Sequence, residues 1–177
     1  MTAALEHLLA PEYLDDLEGR SLADLRGMRA ECQEVETGLS LVRRLVQGHL
    51  DIVTIERTRR VEGGAPGDLT DLLTRLPAVL ADRTQSPGVG RLPVQMAPGD
   101  LDPSLEAELD DLVGTGGALD PSTADDAELD RLAEALGTLE ADLSGRRRAL
   151  FERLDAVQEE IARRYRTGDA SVDTLLT

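Results

Sequence analysis

Aromatic residues are almost absent from this chain of 177 residues: it has no tryptophan, and its aromatic side chains are Tyr13, Phe151 and Tyr165. A compact α/β domain normally builds its core around several aromatic rings, so this composition argues against one. Leucine and alanine are abundant instead, and both residues favour helices. The sequence therefore predicts an all-α protein.

Cysteine and long apolar runs are equally scarce. The single cysteine, Cys32, excludes a disulfide framework and suits a reducing compartment. No run of about 18 apolar residues occurs, which excludes a transmembrane helix. Five acidic residues among the first twenty exclude the basic start of a signal peptide. We therefore expect a cytoplasmic protein without a membrane partner.

The charge is strongly acidic, with a formal net charge of -16, and every basic residue is arginine. Residues 99–142 carry fourteen carboxylates against one arginine, whereas residues 143–166 carry seven arginines. Such an excess of negative charge disfavours direct binding of nucleic acid and suits a protein partner with a basic surface. For the charge taken alone, the favoured explanation is that it keeps a coiled coil soluble.

Two long stretches show the apolar spacing of a coiled coil. Ser21 and Asp24 form a capping box, which predicts a helix from Leu22 to about Arg60, close to 60 Å long. Its apolar seam alternates between spacings of three and four: Leu25, Met28, Cys32, Val35, Leu39, Val42, Val46, His49 and Val53. A helix of this length needs a helical partner. We interpret His49 as a packing residue of the seam, not a metal ligand.

The second stretch supplies that partner. Thr123 and Asp126 form another predicted capping box, and leucines line one face of the helix up to about Tyr165. The predicted fold is an all-α, long antiparallel coiled-coil helical hairpin with short accessory helices and a flexible central connector. Its segments are an acidic segment with a short helix (1–20), the first long helix (21–60), a Gly/Pro-rich connector (61–122), the second long helix (123–167) and a tail (168–177). Within the connector we expect one short helix after Asp68, a loop over 84–104 and another short helix over 105–113.

A polar stripe on the first long helix occurs again on the second. The first copy is Glu36, Ser40, Arg43, Gln47 and Asp51, and the second is Glu140, Ser144, Arg147, Phe151 and Asp155. Each copy covers one side of its helix because the residues are three or four positions apart. One such stripe is usually a solvated face. Salt bridges between the helices would explain Glu36 and Arg43 while leaving Ser40, Gln47 and Asp51 as surface residues. Four matching residue types at the same internal spacing favour a duplicated site.

An antiparallel pairing would bring both stripes to one face as a composite site with pseudo-two-fold symmetry. An arginine fork matches guanine O6 and N7 or a phosphate, and it can also stack on a purine. A carboxylate accepts from guanine N1–H and N2–H2, which adenine lacks. We therefore predict recognition of a two-fold symmetric ligand with two guanines and two phosphates.

The pattern Glu-x3-Ser-x2-Arg-x3-Gln-x3-Asp, present twice on a coiled coil, resembles the RsiG family of cyclic-di-GMP-dependent anti-sigma factors of actinomycetes. The first copy matches at every position, and the second departs only at Phe151, which replaces glutamine. The resemblance implies that the ten motif positions hold cyclic di-GMP as an intercalated pair. It further implies that the loaded face binds a WhiG-type sigma factor and keeps it from RNA polymerase.

Two other function classes compete with this interpretation. The first is a ligand-independent acidic coiled-coil adaptor that masks a basic protein partner by charge. The second is an enzyme, but the sequence shows no Ser-His or Cys-His set, phosphate loop or metal-ligand spacing. We therefore expect a protein that is not an enzyme and has no metal.

Overall fold

The computed structural model describes residues 3–63, 103–114 and 120–168, and these residues form helices without a strand. Their helices are α1 (Ala3–Leu9), a 3₁₀ turn (Pro11–Leu14), α2 (Leu22–Val61), α3 (Pro103–Val113) and α4 (Asp126–Thr167). The chain divides into two compact units. The first comprises Met1–Val42, Pro98–Glu106 and Asp142–Thr177, and the second comprises Arg43–Ala97 and Ala107–Ala141.

In the first unit, the beginning of α2 packs against the end of α4. Arg26 bonds to Tyr165 and Arg29 to Gln158, so residue numbers rise along α2 as they fall along α4. Their contact is filled by side chains that are almost fully buried: Leu25, Cys32, Leu39, Leu143, Leu150 and Val157. Burying one such leucine or valine is worth about 1.5–3 kcal/mol, which makes this seam the main source of stability.

The N-terminal segment of the first unit is fastened to α2 through Tyr13. The buried Tyr13 hydroxyl donates to the Met28 carbonyl oxygen at 3.1 Å, while Leu5 and Leu8 are fully buried. Burial raises the pKa of Tyr13 well above its ordinary value, and it raises the pKa of the Cys32 thiol beside it. The short helix predicted within 1–20 is present as α1, and its buried leucines Leu5 and Leu8 belong to the core of this unit.

In the second unit, the end of α2 packs against the beginning of α4. Arg57 pairs with Asp130 at 2.6 Å and Arg60 with Asp126 at 2.7 Å, again in antiparallel order. The buried seam of this unit contains Val46, Val53, Leu129 and Leu136. The predicted all-α fold with an antiparallel pair of long helices is thus confirmed within each unit.

The start of α2 follows the predicted capping box. The Asp24 amide donates to the Ser21 hydroxyl at 3.1 Å, and the Ser21 amide donates to the Asp24 carboxylate at 3.1 Å. The helix spans Leu22–Val61, against a prediction of Leu22 to about Arg60. Gly63 follows with a φ of 75°, a conformation that glycine adopts without strain.

The capping box predicted for α4 is wrong by two residues. The Glu128 amide donates to the Asp125 carboxylate at 2.7 Å, and the Asp125 amide donates to Glu128 at 2.9 Å. Thr123 instead donates to the Asp120 carbonyl oxygen at 2.9 Å, inside a turn that precedes the helix. Because this turn occupies Thr123, the helix begins at Asp126 with Asp125 as its cap.

The connector is described only in part. The short helix predicted over 105–113 is present as α3 and begins at Pro103, a residue suited to the first turn of a helix. The helix expected after Asp68 lies outside the described residues, as does all but the end of the loop expected over 84–104. The tail expected over 168–177 is described only at Gly168, which has a φ of 82° after the last residue of α4.

Candidate functional site

The first unit brings four of the motif residues together. The Arg147 Nε atom donates to Glu36 Oε1 at 2.8 Å, and the Ser40 hydroxyl donates to the same oxygen at 2.6 Å. The Arg147 guanidinium carbon lies 4.7 Å from the centre of the Phe151 ring, one helical turn further along α4. The first unit therefore contributes one half of the candidate site, in which two donors hold a carboxylate and an arginine lies over an aromatic ring.

The second unit brings together three more. The Arg43 Nη1 atom donates to Glu140 Oε1 at 3.1 Å, and the Gln47 amide donates to the same oxygen at 2.8 Å. Arg43 and Gln47 reach one carboxylate because they lie one turn apart on α2. This half is built from hydrogen-bonding groups alone.

The two halves follow one rule: the motif arginine of each long helix pairs with the motif glutamate of the other. Each second-copy residue follows its first-copy counterpart by 104 positions, so Arg43–Glu140 and Arg147–Glu36 are equivalent pairs. The four side chains are 20–33% exposed. An ion pair that is this accessible to water contributes at most about 1 kcal/mol, so a ligand can replace it at small cost.

Burial differs among the other motif positions. Ser40 is only 8% exposed, so the expectation of a surface residue at this position is wrong, whereas the salt bridges between the helices that the same alternative invoked are present. The Ser40 hydroxyl tolerates burial because Glu36 accepts its hydrogen bond. Asp51 and Ser144 are half-buried, each one turn beyond a contacting motif residue, and Asp155 is exposed. The contacts described above involve the other seven of the ten predicted residues. Asp51, Ser144 and Asp155 lie further along the same stripes.

Sequence reasoning missed a second duplicated motif, Glu-x2-Arg-Arg, near the end of each long helix. In α2, the buried Glu56 accepts from Arg59 at 2.7 Å and from Arg60 at 2.7 Å. In α4, the buried Glu160 accepts from Arg163 at 2.7 Å and from Arg164 at 2.8 Å. Hydrogen bonds from these arginines lower the pKa of Glu56 and of Glu160 from 4.5 to about 2.

The last arginine of each motif binds the backbone just before the other long helix. In the second unit, Arg60 Nη2 donates to the carbonyl oxygens of Pro121 at 3.1 Å and Ala124 at 2.8 Å. In the first unit, Arg164 Nη2 donates to those of Leu17 at 2.8 Å and Glu18 at 3.1 Å. We call these contacts the arginine clamps. The repetition of Glu-x2-Arg-Arg at the offset of the polar stripe was the sequence signal that could have revealed them.

Beyond the polar stripes, the described residues form a cavity, but they form no metal site and no membrane-spanning helix. A cavity of about 550 Å³ in the second unit is lined by residues such as Thr54, Arg57, Asp126 and Asp130, and none of its lining residues belongs to the polar stripes. Within 3–63, 103–114 and 120–168, no group of three or more His, Cys, Asp or Glu side chains could hold a metal ion. In the same ranges, none of the helices has the apolar length that crossing a bilayer requires.

The chain matches a known protein family. The sequence model of the family described as RsiG-like matches residues 11–80 and 116–177, well over half of the chain. These ranges contain all ten stripe residues and both arginine clamps. None of the curated proteins compared with the chain matches it.

Proposed function

The chain belongs to the RsiG-like family, which indicates an anti-sigma factor role, and on that premise we propose the ligand and the partner. The ligand is cyclic di-GMP, bound by Glu36, Ser40, Arg43, Gln47 and Asp51 and by their second-copy counterparts, namely Glu140, Ser144, Arg147, Phe151 and Asp155. The partner is a WhiG-type sigma factor, which the nucleotide-loaded protein sequesters from RNA polymerase.

One observation carries the nucleotide proposal: the equivalent pairs Arg43–Glu140 and Arg147–Glu36. A structural salt bridge would need neither the second donor that each glutamate has nor the repetition of the whole stripe. Each half offers a cationic fork and a carboxylate within hydrogen-bonding distance of each other. These are the two groups that read a guanine, because the fork matches O6 and N7 and the carboxylate accepts from N1–H and N2–H2.

The exposure of these groups supports their use by a ligand. Each of the four charged side chains keeps between a fifth and a third of its surface accessible. The arginine and the glutamate of each pair neutralise each other, which keeps both oriented at little cost. A guanine can then exchange water-exposed contacts for hydrogen bonds to both groups, so the pairs serve as a pre-formed half-site.

The charge distribution supports the choice of a basic protein partner. With a net charge of -16, the chain attracts positively charged surfaces such as those with which sigma factors contact DNA. Charge alone would also act without nucleotide, as in the adaptor alternative. What separates the two functions is whether the nucleotide and the partner affect each other's affinity, because such coupling is reciprocal.

Calorimetric titration with cyclic di-GMP tests the nucleotide proposal. We expect the unchanged chain to bind and Arg43→Ala to bind roughly ten- to a hundred-fold more weakly, the equivalent of a lost bidentate contact of about 1–3 kcal/mol. Arg148→Ala is the matched control because Arg148 is an exposed neighbour of Arg147 outside the stripe. Equal affinities for all three proteins, or no binding to any, would contradict the proposal.

A further inference from the structure

The cavity of about 550 Å³ in the second unit lies where the end of α2 meets the beginning of α4. Part of its lining is apolar: Leu129 is only 1% exposed, whereas Val61 is 89% exposed. Two carboxylates of the lining are open to solvent, because the Asp126 side chain is 83% exposed and that of Asp130 is 63% exposed. The cavity therefore combines apolar surface with accessible negative charge.

The equivalent positions of the first unit carry an arginine and a tyrosine. Arg26 and Tyr165 are the counterparts of Asp130 and Val61 at the offset of 104 positions. The Arg26 Nη2 atom donates to the Tyr165 hydroxyl, which joins α2 to α4 at this point. The second unit cannot repeat this contact, because valine has no hydrogen-bonding side-chain atom and aspartate has the opposite charge to arginine. Where the first unit has a guanidinium of its own, the second unit has a carboxylate beside a cavity.

Asp130 already has a partner, but their ion pair is weak. The Arg57 Nη2 atom contacts Asp130 Oδ1 at 2.6 Å, and the two side chains are 46% and 63% exposed. An ion pair that is this accessible to water adds little to stability. A carboxylate accepts about four hydrogen bonds through its two oxygens. Asp130 can therefore bind a second guanidinium beside Arg57 or in its place.

The charges of the lining favour a basic occupant. The carboxylates of the lining outnumber its arginines: Glu62, Asp126 and Asp130 against Arg57 and Arg60. Arg60 is further neutralised by the buried Glu56 at 2.7 Å. An arginine side chain suits such a lining, because its apolar stem packs on apolar surface while its planar fork pairs with a carboxylate.

We propose, building on the partner proposed above, that this cavity receives an arginine side chain of the sigma factor. Its guanidinium pairs with Asp130, and its stem packs against Val61 and Leu129. All lining residues belong to the second unit and none to the polar stripes. Loss of this contact should therefore weaken capture of the partner while the affinity of the chain for cyclic di-GMP stays the same.

Capture of a purified WhiG-type sigma factor in the presence of cyclic di-GMP tests the proposal. Asp130→Asn removes the negative charge and should weaken capture roughly ten-fold. Val61→Tyr together with Asp130→Arg gives the cavity the pair of the first unit, which fills it from within, and should weaken capture roughly a hundred-fold. Glu134→Gln and Glu134→Arg are the matched controls, because they make the same changes of charge at an exposed position of α4 outside the cavity.

A substitution of Arg57 should have the opposite effect. Arg57→Gln removes the side chain that competes for Asp130, so it should strengthen capture. Arg131→Gln is its control, because Arg131 is exposed on α4 outside the cavity and carries the same charge. Equal effects of these two substitutions would contradict the proposal, since they would report net charge alone.

The outcomes separate this proposal from the function on which it rests. If the unchanged chain captures the sigma factor and the cavity variants capture it as strongly as the Glu134 controls do, the cavity is not a docking site and the proposed partner stands. Failure of the unchanged chain to capture the sigma factor overturns both proposals. Circular dichroism and titration with cyclic di-GMP establish that each variant keeps its helices and its nucleotide affinity. Asp130→Asn, the smallest change, decides the outcome if the double variant loses its helices.

Discussion

Arg164 donates to the carbonyl oxygen of Leu17 at 2.8 Å, so the end of the last helix is tied to the chain just before α2 begins. Arg60 makes the equivalent contact with Pro121, just before α4. Arg164 follows Arg60 by 104 positions, and Pro121 follows Leu17 by the same 104 positions. The internal duplication therefore extends well beyond the polar stripe.

The duplication begins at the N-terminal caps of the long helices and ends at the arginine clamps. Ser21 and Asp24 cap α2, and Asp125 and Glu128 cap α4 at the same offset of 104 positions. Each repeat thus runs from a capping box through the polar stripe to an arginine clamp. The polar stripe is the middle of a repeated structural unit of about forty residues, which explains why its arginine–glutamate pairs are equivalent.

The first prediction concerns the clamps. Arg164→Ala removes charge-assisted hydrogen bonds to Leu17 and Glu18 and leaves the buried Glu160 with one fewer partner. We expect the free energy of unfolding to fall by about 1–3 kcal/mol, measured by chemical denaturation. Arg148→Ala, at an exposed position of the same helix, should change it by less than about 0.5 kcal/mol. Equal effects of the two substitutions would show that the clamp is not stabilising.

The second prediction concerns acid. The pKa of Glu56 is about 2 in the folded protein against an ordinary value of 4.5, so folding favours its ionised form. Its contribution to stability is therefore complete above about pH 5 and is lost as the pH falls from 4.5 towards 2. Glu56→Gln should destabilise the protein near neutral pH, and the difference from the unchanged chain should shrink across that window.

Denaturation curves at several pH values measure this difference. Glu34→Gln is the control, since Glu34 is exposed on the same helix and its replacement should have little effect. A destabilisation by Glu56→Gln that stays constant down to pH 2 would argue against an ionic role for Glu56.

The third prediction concerns the start of α4. Asp125→Ala removes the acceptor for the Glu128 amide and should cost about 1 kcal/mol of stability. Thr123→Ala removes only a hydrogen bond inside the preceding turn and should cost less. Thermal unfolding of the two variants shows which residue caps α4. A larger loss of stability for Thr123→Ala would support Thr123, the cap predicted from the sequence.

The fourth prediction concerns the seam. Leu143 is fully buried in the first unit, whereas Leu45 on α2 is 42% exposed. Leu143→Ala should lower the free energy of unfolding by about 2–5 kcal/mol, because it removes apolar contacts and leaves a cavity. Leu45→Ala, the same change at the surface, should cost far less. Similar losses at both positions would contradict the assignment of the seam.

Local patterns were enough to predict the helices and most of the stripe. Leu25, Cys32 and Leu39 recur at heptad spacing, so the buried side of α2 could be predicted without its partner. The cap of α2 could be predicted because Ser21 and Asp24, which bond to each other, are only three residues apart in the sequence. The cap of α4 could not, since Thr123 and Asp125 are both good caps and the turn at Asp120 decides between them.

The cross-helix contacts required knowledge that no single segment contains. Arg147 meets Glu36 only because α2 and α4 are antiparallel in one particular register. The sequence analysis raised salt bridges between the helices as one explanation of the stripe's Glu and Arg, but it did not predict which residues pair. The contact of Arg164 with the Leu17 carbonyl was missed for the same reason, because it joins a side chain to the backbone of a distant turn.

Capture of a purified WhiG-type sigma factor with and without cyclic di-GMP tests whether the nucleotide and the partner strengthen each other's binding. We predict that the nucleotide strengthens capture on the order of ten- to a hundred-fold, because ligand and partner affinities are reciprocally linked. Arg43→Ala and Arg147→Ala should lose nucleotide binding and nucleotide-dependent capture together while staying helical, since neither residue lies in the buried seam. Capture at full strength without nucleotide, undiminished in both variants, would contradict the account and identify the protein as a ligand-independent acidic adaptor.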